Sequence, residues 1–240
     1  MQFYFIRHGQ SGNNLLWDQT ASTHGRSEDS ELTEVGRRQA DLLAHFLCRA
    51  APLAKTNGSD RHNRAGFFLT NLYSSLMVRA VATGTTVSEA LGLPVVAWED
   101  AHEGGGIYSE NPETGECIGQ PGKNRTYFEA HHPRLVLPES LGEVGWWNRP
   151  FETDEQRPLR ARRFLQQLIE RHGQTDDRVA VISHGGFYNH LMAAILNMPS
   201  NDHVWFVLNN AAITRIDWYD QRVDLVYMNR VDFLPKELIT

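Results

Sequence analysis

The chain has 240 residues, of which 41% are hydrophobic and 10% aromatic, enough apolar material for one substantial α/β core. A formal net charge of −6 excludes an overall basic field of the kind that holds nucleic acid or an anionic membrane, so any anionic ligand must be gripped by locally clustered cations. The two cysteines, Cys48 and Cys117, form no C-x-x-C pair, and the sequence shows neither a secretion leader nor an apolar run of membrane-spanning length; the expectation is a cytoplasmic protein in a reducing compartment.

Residues 2 to 6 predict a first strand, which halts at Arg7-His8-Gly9 and gives way to small polar residues. Leu32 to Arg49 predict an amphipathic helix opened by Thr33 as N-cap, with Val35, Gln39, Leu42, Leu43, Phe46 and Leu47 near one face. The polar, Gly-containing stretch from Lys55 to Arg64 predicts a loop. Phe67 to Tyr73 form the next apolar run, and Ser74 or Ser75 can cap a helix that continues to about Leu91 and stops at Gly92-Leu93-Pro94. Val95 to Trp98 predict a short strand. Arg157 to His172 predict a second amphipathic helix, with Leu159, Phe164, Leu165, Leu168 and Ile169 inward and Gly173 at its C-terminal cap. The buried strand VAVIS, residues 179 to 183, is followed by HGG as its turn and by a helix from Phe187 to Leu196. Ile213 to Trp218 and Val223 to Met228 alternate as a hairpin around Tyr219-Asp220-Gln221, whose edge strand offers a surface for pairing into a homodimer.

This order predicts an α/β fold: a single domain with a mainly parallel, right-handed wound sheet and helices on both faces. An insertion at about 104 to 156 stands apart. It is rich in Gly, Pro, Asn and Glu and weakly periodic, yet it carries Tyr108, Tyr127, Phe128, Trp146 and Trp147, which predict an ordered cap.

In an open parallel sheet, ligands lie beyond the carboxyl ends of the strands, so residues just past different strands converge. Here those positions carry Arg7-His8, the helix bearing Arg79, His184, and His102-Glu103 after the strand through Trp98. Guanidinium forks bind phosphate oxygens bidentately, a neutral imidazole can attack phosphorus, and a carboxylic acid can protonate a departing alkoxide. Metal chemistry is not indicated: His102-Glu103 lacks the second His of H-E-x-x-H, and His131-His132 has no ligand partners at recognisable spacing. Gly119 to Lys123 do not form a nucleotide P-loop. No cofactor and no metal are expected.

These residues carry a resemblance. IRHGQSGNN resembles the R-H-G-E/Q-S/T-x-x-N signature of the histidine phosphatase superfamily, which includes phosphoglycerate mutases and many phosphatases. LTEVGRRQA (32 to 40), YSSLMVRAVATG (73 to 84) and VISHGG (181 to 186) are similar to three further blocks in the family's order. The resemblance implies the phosphoglycerate mutase-like fold, His8 as a nucleophile that becomes phosphohistidine, a phosphate pocket of Arg7, Asn14, Arg79 and His184, and Glu103 as proton donor, with Glu99 and Asp100 as competing acids. It also implies that charge on the transferring group is met by Arg7, Arg79 and a protonated His184 rather than by a metal. Mutases of the family resemble one another in an Arg directly after the donor Glu; Glu103 is followed by Gly104, so hydrolysis of a small phosphorylated substrate is preferred over mutase-type transfer or a non-catalytic phosphate-binding scaffold.

Overall fold

A computed structural model describes residues 1–50, 60–199, 204–220 and 222–240. Nine strands and six α-helices are named among these residues. Strand β1 (Gln2–Arg7) lies near the middle of a seven-stranded sheet, flanked by β7 (Arg178–Ser183) in parallel and β8 (Ile213–Tyr219) in antiparallel pairing. With β2 (Asn71–Ser74), β3 (Val95–Ala97), β6 (Leu135–Val136) and β9 (Arg222–Arg230), the order is β6-β3-β2-β7-β1-β8-β9. All pairings from β6 to β1 are parallel, and the terminal hairpin closes one side antiparallel, as the alternating pattern predicts.

The period of two along a strand sorts its side chains between two cores. Tyr4 and Ile6 of β1 and Ala180 and Ile182 of β7 join Leu43 and Leu47 of α2 (Glu34–Cys48) and Ala80, Val81 and Val87 of α3 (Val78–Leu91). On the other face Phe3, Phe5, Val179 and Val181 pack with Phe164 and Leu168 of α5 (Gln156–His172) and Phe187 and Leu191 of α6 (Gly185–Ile195). Helices therefore cover both faces.

Several expectations are corrected. The polar residues after Gly9 form helix α1 (Gly12–Thr20), nucleated by a capping box between Ser11 and Asn14; none of its residues is buried, so it has no apolar stripe to betray it. Of the apolar run from Phe67 to Tyr73 only the end is strand, which begins at Asn71, and Phe68 within the run has a φ of 50°. Neither Ser74 nor Ser75 is the cap of α3: Met77 is, and the Ser75 hydroxyl accepts the Met77 N–H. On α5 the inward stripe is Arg160, Ala161, Phe164, Leu168 and His172, whereas Leu159 and Ile169 face outward. The HGG segment is the first turn of α6, with His184 as its N-cap. Lys55 to Ser59 and the hairpin residue Gln221 lie outside the described residues.

The segment expected as a cap is ordered but less irregular than its sequence suggests. It contains a hairpin of β4 (Tyr108–Glu110) and β5 (Cys117–Gly119), helix α4 (Arg125–His131) and strand β6, which extends the main sheet beside β3. Strands of two or three residues leave no readable period. Phe128, Leu141, Trp146 and Trp147 are buried in the same core as α2 and α3. No helix is long and apolar enough to cross a membrane among the described residues.

Candidate active site

Register brings the two histidines together. Arg7 of β1 is paired with Ser183 of β7, so His8 and His184, each the next residue, emerge at one level from adjacent parallel strands with ring centroids 5.0 Å apart. Ser74 of β2 is level with Ile182, which delivers Ser75 to the same height; its hydroxyl lies 2.8 Å from His184 Nε2. Arg79, in the first turns of α3, donates from Nε to His8 Nε2 at 3.1 Å.

The tautomer of His8 follows from its neighbours. Nδ1 lies 2.6 Å from the Gly9 carbonyl, an acceptor, so Nδ1 carries the proton; Nε2 receives the Arg79 N–H and presents a lone pair. Burial, then the charges of Arg79 and Arg7, push the His8 pKa well below the ordinary imidazole range, so the ring is neutral and nucleophilic at neutral pH. His184 is held low in the same way, by burial and by Arg79. The protonated His184 of the sequence-based expectation is thus not the state of this arrangement; positive charge resides on Arg7 and Arg79.

Buried nitrogens without a hydrogen-bond partner mark where an anion belongs. Arg7 Nε, Arg79 Nη1 and His184 Nδ1 are all in that condition. Arg7 is steered by a bond from Nη1 to the Leu208 carbonyl. Asn14 Oδ1 is engaged by the Ser11 N–H at 3.1 Å and by Asn210 Nδ2 at 3.2 Å, while its Nδ2 makes no hydrogen bond among the described residues and is free to donate. Phosphate oxygens would satisfy all these groups.

Glu103 comes just after a 3-10 turn over Glu99–Ala101. Its carboxylate accepts the N–H groups of Gly104 (2.9 Å), Phe187 (2.9 Å) and Gly186 (3.1 Å), and so caps α6 one turn from His184. Gly186 leaves room for the carboxylate in this position, since a Cβ there would lie 2.5 Å from Glu103 Oε1. Of the competing acids, Asp100 is bound bidentately by Arg163 at 2.8 and 2.6 Å, and Glu99 accepts a weak bond from Ser140. Neither reaches α6.

Residues that sequence reasoning left without a role now have one. Thr83 accepts the Gly9 N–H at 3.1 Å, and Gln39 accepts the Gln10 N–H at 2.7 Å. Gly36 lets the backbone of α2 touch the turn: a Cβ there would be 2.0 Å from the Gln10 carbonyl. The second and third motif blocks are therefore the buttress of the His8 turn. Asp29 was missed. It accepts the Val78 N–H at 3.1 Å, lies 3.8 Å from Arg79 Nη1, and is pushed up to about 6 chiefly by burial, against the pull of Arg79. Arg26 stacks on Tyr108 at 3.9 Å and donates to its carbonyl, while Lys123 lies over Tyr127 at 4.8 Å. Of the other cations in the insertion, Arg149 covers Trp147, and Arg125 binds the carbonyls of Leu141 and Pro138. Among the described residues no group of three or more His, Cys, Asp or Glu side chains is placed to hold a metal ion.

A buried neutral imidazole facing two guanidinium groups, with a carboxylate alongside, defines a site for phosphoryl chemistry. The model of the histidine phosphatase superfamily, branch 1, matches residues 3–231, and the chain belongs to that superfamily. It is 27% identical over 239 residues, 96% of each chain, to a Hydrogenobacter thermophilus protein named as a phosphoserine phosphatase. It is 23% identical to a Yersinia enterocolitica protein named as a phosphoglycerate mutase, covering 92% of this chain and 86% of that one. Among solved structures, Entamoeba histolytica phosphoserine phosphatase with 3-phosphoglyceric acid has a TM-score of 0.59 at 20% identity, covering 98% and 99% of the two chains. Mycobacterial glucosyl-3-phosphoglycerate phosphatase with VO3 has a TM-score of 0.58 at 21% identity, covering 96% and 99%. Both share the mostly parallel α/β fold.

Proposed function

We propose that the protein is a phosphatase that hydrolyses a phosphomonoester through a phosphohistidine at His8. The observation that carries this reading is the His8 ring itself, with its proton fixed on Nδ1 by the Gly9 carbonyl, its Nε2 lone pair turned toward Arg79, and the His184 ring 5.0 Å away. In the first step Arg79 turns its N–H from Nε2 to a phosphate oxygen and the freed Nε2 attacks phosphorus as the ester oxygen departs; Arg7, Arg79 and Asn14 hold the non-bridging oxygens, and Glu103, in its carboxylic acid form, gives its proton to the leaving alkoxide. The Glu103 carboxylate then takes a proton from the water that attacks phosphohistidine, releasing inorganic phosphate and restoring both groups. His184, neutral before substrate enters, takes up a proton as the phosphate dianion settles beside its Nδ1.

Hydrolysis is preferred over mutase transfer because of the residues after Glu103. Gly105 and Gly106 have φ values of 86° and 74°, and Cβ atoms there would strike Tyr108, Phe151 and the ring of Trp147. The acid loop is thus packed against cap aromatics, and the Arg of the mutase motif is absent. Relatives named as phosphatases agree with this reading. Charge neutralisation by guanidinium groups makes the reaction independent of divalent metal.

The test is a screen of phosphomonoesters for phosphate release after exhaustive chelation, with acid-labile label trapped and mapped to His8. A rate restored only by a divalent ion would overturn the metal-free mechanism. Conversion of 3-phosphoglycerate to 2-phosphoglycerate with a bisphosphoglycerate primer at ordinary enzyme rates, about 1 to 10³ per second, would overturn the hydrolase reading.

A further inference from the structure

The loop that carries Glu103 is suspended by its carbonyl groups. Arg160 on α5 donates from Nη1 to the carbonyls of both Asp100 (2.7 Å) and His102 (2.8 Å). Ser183 Oγ, at the end of β7, donates to the Ala101 carbonyl at 2.7 Å between them. The Glu152 N–H reaches the Gly105 carbonyl at 3.2 Å on the far side of the acid. Arg160 is in turn gripped bidentately by Glu152, Nε to Oε1 at 2.6 Å and Nη2 to Oε2 at 2.8 Å. The guanidinium lies 4.8 Å from the ring centre of Phe187, whose N–H is one of the donors to the Glu103 carboxylate.

Such a pair is costly to bury. Arg160 is 3% and Glu152 6% exposed, and a well-packed apolar pair of similar volume is often neutral or better for stability. Burial stability therefore gives no reason to place charges here; geometry does. A single planar fork meets a carboxylate on one edge and two carbonyls, one on each side of Ala101, on the other, which no apolar residue and no lysine can reproduce.

We propose that Arg160, locked by Glu152, is a positioning residue for the general acid: it fixes the 100–105 loop, and with it Glu103, against the N-terminus of α6. The proposal rests on the reading of Glu103 as the proton donor. Because Glu152 stands at the C-terminal end of the insertion and binds back to Gly105 at its start, the same pair closes the base of the cap around the acid.

The test uses single-turnover formation of phosphohistidine from two substrates, an alkyl phosphate with a poor leaving group and 4-nitrophenyl phosphate, which leaves without a proton. Wild type, Arg160→Lys, Glu103→Gln and the double variant are compared, with thermal unfolding as the control for fold. A displaced catalytic group costs up to about 100-fold, so Arg160→Lys should slow the alkyl substrate about 10- to 100-fold and the aryl substrate by less than about threefold. In the Glu103→Gln background the Arg160 substitution should have no further effect on either substrate. Equal losses for both substrates, or losses that multiply in the double variant, would overturn the positioning role and leave Arg160 a general structural residue. If Glu103→Gln itself shows no leaving-group contrast while His8 is still phosphorylated, the acid assignment falls and the proposal with it. If no phosphohistidine forms in wild type, the phosphatase mechanism has failed first. Should Arg160→Lys not fold, Glu152→Gln, which keeps an acceptor for Arg160 Nε, must show the same substrate contrast in weaker form.

Discussion

His8 and Glu103 are held in unlike ways. The turn at His8 is pinned at its ends by backbone: its N–H donates to the Ser183 carbonyl at 3.0 Å, its carbonyl accepts from Ala211 N–H at 3.1 Å, and the α2 backbone presses against Gln10, with the Thr83 and Gln39 side chains accepting the N–H groups of Gly9 and Gln10. The loop at Glu103 accepts backbone bonds only on its far side, from Gly106 and Glu152 to the carbonyls of Glu103 and Gly105, and the carbonyls of Asp100, Ala101 and His102 before the acid hang on side chains from α5 and β7. Backbone pairing between strands fixes a position to the register of the sheet and tolerates no adjustment, whereas a side-chain suspension can be loosened one bond at a time. The nucleophile is therefore expected to fail all at once, and the acid by degrees.

The largest effect is expected at the nucleophile. His8→Asn should abolish phosphoenzyme and reduce turnover by about 10³-fold or more, with the fold intact, because the proposed mechanism routes the phosphoryl group through a covalent bond to His8. A folded variant that still turns over would end the phosphohistidine mechanism.

Two glycine substitutions then set the halves against each other. Gly36→Ala drives a Cβ into the Gln10 backbone, where neither partner can move, and should destabilise the protein by about 3 kcal/mol or more, with losses for every substrate. Gly186→Ala meets instead the tip of the Glu103 side chain, which can swing away. Thermal stability should change by less than about 1 kcal/mol, while alkyl phosphate cleavage falls roughly 10- to 100-fold. If Gly186→Ala unfolds the protein as readily as Gly36→Ala does, the acid side is as rigid as the nucleophile side.

The same contrast explains what the sequence reveals. The apolar runs FYFIR and VAVIS are legible as buried strands and place Arg7, His8 and His184 at strand ends, where a side chain inherits its position from register. Glu103 is favoured in the sequence by its neighbouring glycines over Glu99 and Asp100, and what the sequence does not show is that Arg163 holds Asp100 while the Glu103 carboxylate meets the N-terminus of α6. Arg160 left one unused sign: a charged residue on the stripe Ala161, Phe164, Leu168, which a helix shows when a buried partner awaits it. Its partner Glu152 lies in a segment without period, so nothing local could connect them. α1 was silent because it buries none of its residues, and β4 to β6 because each has three residues or fewer.

The smallest effect concerns Asp29, which joins the two schemes: a side chain that supports the backbone of α3 through the Val78 N–H while facing Arg79. Its carboxyl titrates near 6 in the folded protein against 3.8 for the free group, so the folded state binds the proton more tightly than the unfolded one. Stability from this group is therefore full below the unfolded value and is lost as pH rises through 6. Between about pH 4.5 and 7 the loss is about 2 kcal/mol. Asn keeps an acceptor for Val78 and cannot ionise, so the unfolding free energy of Asp29→Asn should gain about 2 kcal/mol on that of wild type between pH 4.5 and pH 7. The low pKa values of His8, His102 and His184 tilt stability the opposite way, downward as pH falls below the ordinary imidazole range, but they are common to both proteins and cancel in the difference. Identical pH profiles would mean that Arg79 and Lys123, the cations facing Asp29, already offset its burial. A wild type that is less stable at neutral pH would show that an ionised Asp29 is retained at a cost, and the group that gains from it is Arg79, whose Nη1 lies 3.8 Å from the carboxylate.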